Sequence, residues 1–173
     1  LETIVFNAFD TSKVTNMNSM FNLTNLSELD ISGFDTTHVV DMSNMFAYSK
    51  FNSLDLSSFD MTNVAVNTGM LSLYNLYELI TPKVDFELTL PTTLSDSNYN
   101  DYDSISEMDA GIRLRKKYTI TLNEDLDSYI YVFYNDKFTN LPNPSITNDK
   151  IFKGWYGKRE RNYYGDEDVY LYL

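Results

Sequence analysis

Side chains able to do chemistry are few in this chain, and their spacing does not gather them. There is one histidine, His38, and no cysteine, so thiolate nucleophiles, disulfides and zinc–thiolate sites are excluded. A catalytic histidine needs an oriented carboxylate and a nucleophile. His38 instead shares a polar, variable column with Lys13 and Asn63 and reads as an exposed residue. Asp96, Asp101, Asp103 and Glu107 carry the oxygens that calcium prefers. They lack the spacing of an EF-hand loop and read as a solvated acidic loop. Arg113, Arg115, Lys116 and Lys117 form a basic run, which either binds an anion or balances nearby acids at a solvated edge. Asn22-Leu23-Thr24 and Asn25-Leu26-Ser27 fit the glycosylation sequon, a pattern short enough to arise by chance. Neither a phosphate-binding P-loop nor a dinucleotide-binding glycine motif is present. These residues support no enzyme, cofactor or metal.

The elements that would position such residues are bounded by composition. The chain has 173 residues, enough for one ordinary domain or two small ones, and 43% of them are hydrophobic, enough for a real core. Lys and Arg total 13 against 25 Asp and Glu, for a net charge of −12 and a pI near 4.3. Such a chain repels phosphate backbones, which argues against nucleic acid and anionic membranes as partners. No apolar run is long enough to span a bilayer. The N-terminal stretch lacks the basic start and apolar middle of a signal peptide.

The order of the residues is more informative. Leu1, Leu26, Phe51 and Leu76 head units of 25 residues, and apolar positions fall into columns beneath them. Ile4, Leu29, Leu54 and Leu79 form one; Phe6, Ile31 and Leu56 another; Phe9, Phe34 and Phe59 a third, each followed by aspartate. Self-similarity at a fixed period predicts a solenoid. Within a unit, pairs such as Leu54/Leu56 have the period of a strand. Val14, Met17, Met20 and Phe21 recur at i, i+3, i+6 and i+7, which predicts a short helix. Asp10, Thr11 and Ser12 precede it as candidate N-caps, as do Asp35, Thr36 and Thr37 one unit later. The methionines read as adaptable core filler rather than a ligand box. The expected fold class is therefore an α/β leucine-rich-repeat solenoid of strand–turn–short helix units. Thr81 and Pro82 break the pattern, so residues 76–91 read as a C-terminal cap. Leu1 opens in mid-motif, as if cut from a longer array.

The strings LSELDISGFDTTHVVDMSNMF (26–46) and FNSLDLSSFDMTNV (51–64) resemble the BspA-like leucine-rich repeat of bacterial surface proteins. The resemblance covers about residues 1–84 and implies a cell-surface or secreted protein, often tied to adhesion or host contact.

Residues 92–117 are a polar linker or an extension of the cap. From residue 118 the period changes to two. YTITL (118–122), YIYVFY (129–134), Ile151–Tyr156 and Val169–Leu173 read as strands around the single tryptophan, Trp155. YTITL, LPNP, FKGWY and DVYLYL resemble the Listeria–Bacteroides repeat, the B-repeat of internalin-type proteins. That resemblance implies a small β-rich, β-grasp-like domain over 118–173, serving as spacer or contact module.

What remains for function is surface. In solenoids the concave strand face is the usual binding surface. Its outward positions here are Thr3, Glu28, Ser53 and Glu78 in one column and Val5, Asp30, Asp55 and Ile80 in the next. The middle is acidic and favours a basic patch on a partner. Four rungs supply roughly 300 Å², against about 800 Å² a side for a stable specific complex. The expected function is a non-catalytic contact module of a bacterial surface protein that meets a host or neighbouring-cell protein or glycan. The alternative is a structural stalk with no ligand of its own.

Overall fold

The computed structural model describes residues 4, 6, 9–26, 28–106, 108–121 and 129–133. The chain divides into two compact units, Leu1–Tyr118 with Tyr131–Tyr134, and Thr119–Ile130 with Asn135–Leu173. Seven strands are present among the described residues: β1 (Ser53–Asp55), β2 (Glu78–Ile80), β3 (Leu88–Ser95), β4 (Asp101–Ile105), β5 (Arg113–Arg115), β6 (Lys117–Thr121) and β7 (Tyr129–Phe133). The first five form one mixed sheet in the order β1-β2-β5-β3-β4, and β6 pairs with β7 in a separate two-stranded sheet. Of the expected β-grasp-like domain only residues 118–121 and 129–133, in β6 and β7, are described; the segments 151–156 and 169–173 lie outside the described residues.

Consecutive 25-residue units stack. β1 and β2 are parallel with Ser53 opposite Glu78, Leu54 opposite Leu79 and Asp55 opposite Ile80. Parallel bridges also join Asn16 to Asp41 and Asp41 to Val66. The expected helices are absent. Among the described residues there is no helix, and the α/β solenoid of strand–turn–short helix units is corrected to a helix-free stack that shares one mixed five-stranded sheet.

The backbone hydrogen bonds give the reason. A helix would send each N–H four residues back along its own segment. Here Met17, Ser19, Phe21 and Leu23 donate to the carbonyls of Asp41, Ser43, Met45 and Ala47 in the next unit. Met42, Asn44, Phe46 and Tyr48 repeat this against Val66, Thr68, Met70 and Ser72. Between those bonds run tight turns, with Met20 donating to Met17 and Met45 to Met42. Ser19, Asn44 and Gly69 hold φ of 56°, 54° and 69°, values that a right-handed helix cannot contain.

Three corners per unit share one construction. An Asp or Asn carboxyl or carboxamide oxygen accepts the N–H two residues on, an Asx turn. Asp30 takes Ser32, Asp35 takes Thr37 and Asp41 takes Ser43. The residue after the aspartate and the one three beyond it are joined by a turn bond, as in Phe34 to Ile31, Val39 to Thr36 and Met45 to Met42. All six of these side chains are buried. Inward pairs three residues apart therefore come from turns, and they imitate the i, i+3 spacing of a helix. The candidate N-caps at Asp10 and Asp35 make the bond expected of a cap, but a corner follows rather than a helix.

The core lies inside the stack. Phe21 and Phe46 are stacked at 5.8 Å, and Phe46 meets the edge of Phe51 at 6.2 Å. Thr11 and Thr36 also point inward. Each hydroxyl donates to the carbonyl, and accepts from the N–H, of an aspartate in the following unit, Asp35 and Asp60 respectively. These hydroxyls stand in for ladder bonds and leave no backbone group orphaned there.

The unit that carries β2 is the last of the parallel stack, and it still bridges Lys83 to Asp60 in parallel past Thr81 and Pro82. The far edge of β2 pairs antiparallel with β5, and β5 pairs with β3 through Ser95 and Arg115. β3 and β4 form a hairpin whose register shifts between Thr89 and Leu94. Pro91 falls in that shift, where its missing N–H costs no ladder bond. Thus residues 88–115, across the boundary drawn at residue 91, build the same sheet as the repeats.

Candidate functional site

The strand-face columns do not form one continuous exposed strip among the described residues. Thr3 and Val5 lie outside the described residues. Glu28 and Asp30 are exposed but belong to no strand. Ser53 and Asp55 flank buried Leu54 on β1 and face solvent. Glu78 is buried and ion-paired to Arg113 at 2.7 Å. Ile80 is half-buried and sits opposite Arg113 in register.

Their carboxylates are also in local use. Asp30 accepts from both the amide and the hydroxyl of Ser32, at 3.0 and 2.7 Å. The Ser32 hydroxyl, and then its amide, hold the carboxyl below the usual carboxylate range. Asp55 accepts from the Ser57 amide at 2.9 Å. Hydroxyls of Ser12, Thr37 and Ser43 lower Asp10, Asp35 and Asp41 in the same way. Asp60 is pulled down to about 2, first by the Lys83 ammonium at 2.6 Å and then by the Thr62 hydroxyl.

The other chemistry-bearing residues are dispersed. His38 is exposed, with its Nδ1 3.2 Å from the Thr37 hydroxyl. Asp96 closes the β3–β4 turn by accepting from the amides of Asn98 and Asn100 and from the Tyr102 hydroxyl. Asp101 pairs with Lys117 at 2.7 Å, and Asp103 takes the Thr93 hydroxyl. Glu107 lies outside the described residues. The basic run is spent within the molecule. Arg113 pairs with Glu78, Arg115 lies 4.4 Å over the Phe133 ring, and Lys116 sits 5.0 Å over Tyr77. No three His, Asp or Glu side chains gather as a metal site among the described residues.

Sequence reasoning passed over a different surface. On the turn segments Leu23 is 72% exposed, Tyr48 49% and Tyr74 72%. The Tyr48 and Tyr74 rings meet at 5.7 Å with planes tilted by 43°. Leu23 and Tyr48 occupy the same place in successive units, and both have positive φ, 58° and 57°. A bulky residue there costs about 1–2 kcal/mol relative to an ordinary conformation. Glycine or asparagine is the usual occupant. The flanking residues Asn25, Lys50 and Asn75 are exposed at the same 25-residue spacing. Residues 11–27, 42–54 and 61–77, which carry these segments, contain no Asp or Glu although the chain has 25. The available signal was that acid-free interval, together with leucine and tyrosine one step outside the core columns.

Residues 2–86 are similar to one known family. Its description is "Mycoplasma protein of unknown function, DUF285". The DUF285 match spans the stacked units and stops before β3, just under half of the chain. No curated protein and no solved structure matches.

Proposed function

We propose that this chain is a non-catalytic contact module of a bacterial cell-surface protein, binding a host or neighbouring-cell partner through its repeat surface. The observation that carries the reading is the exposed Leu23–Tyr48–Tyr74 ridge on stacked turns. Apolar side chains held outward on successive units, with Leu23 and Tyr48 in register and at a conformational cost, are a poor use of surface unless something covers them. The turn face is favoured over the acidic strand columns, because Asp30 and Asp55 serve their own corners and Glu78 is taken by Arg113. The resemblance of residues 26–46 and 51–64 to BspA-like repeats supports the surface setting.

The test is binding of the purified chain to matrix proteins and mucin glycans. Two double variants run beside it, Tyr48→Asn with Tyr74→Ser and Asp30→Lys with Asp55→Lys. Saturable binding lost in the tyrosine pair supports contact through the ridge. Loss confined to the aspartate pair moves the contact to the strand columns. Absence of binding to every probe returns the chain to a stalk.

A further inference from the structure

Resting on that reading, we infer that the Leu23–Tyr48–Tyr74 ridge is an oligosaccharide-binding surface. Its chemistry is that of a sugar platform. The Tyr48 and Tyr74 rings come from adjacent stacked turns and meet at 5.7 Å with a 43° tilt, so they present two faces rather than one flat wall. The C–H face of a pyranose packs on such a ring while its hydroxyls seek neutral donors and acceptors. Those are at hand in exposed Asn25, Ser72 and Asn75. Lys50, exposed in the same column, adds one cation for a sugar carboxylate.

Charge and size both favour a glycan over a protein. In a chain of net charge −12, no carboxylate lies within the segments that carry the ridge, so none of their own side chains repels a polyhydroxyl or anionic ligand. Three turns about 4.8 Å apart and four residues wide offer roughly 200 Å². A stable protein complex takes about 800 Å² from each side. The ridge is too small for the second and large enough for a few sugar rings. Leucine at 23 and tyrosine at 48, both with positive φ, place apolar bulk where a bare turn would hold glycine.

The probe is a panel of soluble oligosaccharides, galactose-terminated and sialic-acid-terminated, read by saturation-transfer NMR and titration against the full chain. Tyr74→Ser and Tyr48→Asn are the loss variants and Tyr74→Phe is the conservative control. Amide spectra of each variant establish that it folds. Saturable binding that weakens about tenfold in each loss variant, the scale of one aromatic contact, and stays within about twofold in Tyr74→Phe supports the inference. A preference for the sialylated arm that vanishes in Lys50→Gln assigns the carboxylate to Lys50 and supports it further. Sugar binding that survives both tyrosine losses overturns it. Tyrosine-dependent binding to proteins with none to sugars also overturns it, yet leaves the contact-module reading standing. No binding to sugar or protein overturns both.

Discussion

Two faces of the same coil are built from one 25-residue period, yet they use it differently. On the strand face, β1 alternates outward, inward, outward and pairs in parallel with β2, where Glu78 and Leu79 are both buried. Asp30 and Asp55 there fold back onto their own corners. On the turn face the unit-to-unit bonds run through residues 17–23 and 42–48, broken by left-handed turns. There the outward side chains at Leu23, Tyr48 and Tyr74 bond to no backbone group of their own corners, and the two tyrosine rings meet each other. The comparison teaches that an exposed charge can be structural while an exposed apolar group serves no backbone group of its own. What separates them is whether a side chain satisfies its own backbone.

The largest expected effect tests the core the faces share. Phe46 is fully buried between Phe21 and Phe51. Phe46→Ala should cost about 3–5 kcal/mol in urea denaturation, because a cavity is left as well as a lost transfer term. If both faces rest on one core, amide signals of the turn face and of β1 will broaden together. Retention of β1 signals with loss of the turn face would divide the stack into independent faces.

Thr36→Val tests whether a side chain truly replaces the ladder. The substitution keeps the shape but orphans the Asp60 carbonyl and amide that the hydroxyl serves. The expected loss is about 1–3 kcal/mol, with faster exchange of the Asp60 amide. An unchanged midpoint would mean that water serves those groups equally well.

Acid separates the faces more gently. Asp30, Asp35, Asp41 and Asp60 are all held below their usual value of 3.8. A carboxylate depressed in the folded state stabilises above its unfolded pKa, and that contribution is lost as pH falls through the folded value. Stability should therefore drop between about pH 4 and pH 2, with Asp60, at about 2, titrating last. Asp60→Asn should flatten the lower end of that curve. Asp41 holds the corner at 42–45, so amide shifts there should move with its titration, while those at 46–48, farther along an acid-free segment, should move less.

Much of this arrangement was legible as period and little of it as shape. The columns headed by Leu26 and Phe51 did mark the interior, since a stacked unit must repeat its inward residues. The helix was misread because an Asx corner also places inward residues three apart, as at Met42 and Met45. Only backbone conformation distinguishes the two, and Ser19 does not announce positive φ as Gly69 does. The ridge was hidden for a related reason. Leu23, Tyr48 and Tyr74 belong to none of the apolar columns, and nothing in residue type says that Tyr48 points out.

The smallest effect is the most discriminating, because its two halves have opposite signs. Gly69 and Tyr48 both have positive φ, 69° and 57°, but only glycine suits that conformation. A Cβ on Gly69 would come 2.5 Å from the Asn44 Oδ1 atom, the end of a side chain that can swing away. Gly69→Ala should therefore cost about 1 kcal/mol, mostly as backbone strain. Tyr48→Asn relieves the same strain on the neighbouring unit and should leave stability unchanged or raise it by roughly 0.5 kcal/mol. A gain in the denaturation midpoint together with lost binding would show that Tyr48 is kept at a cost to the fold for the sake of its contact. A loss of about 1 kcal/mol in both variants would mean that the Tyr48–Tyr74 ring contact stabilises the stack itself, and the two faces would then differ in shape but not in purpose.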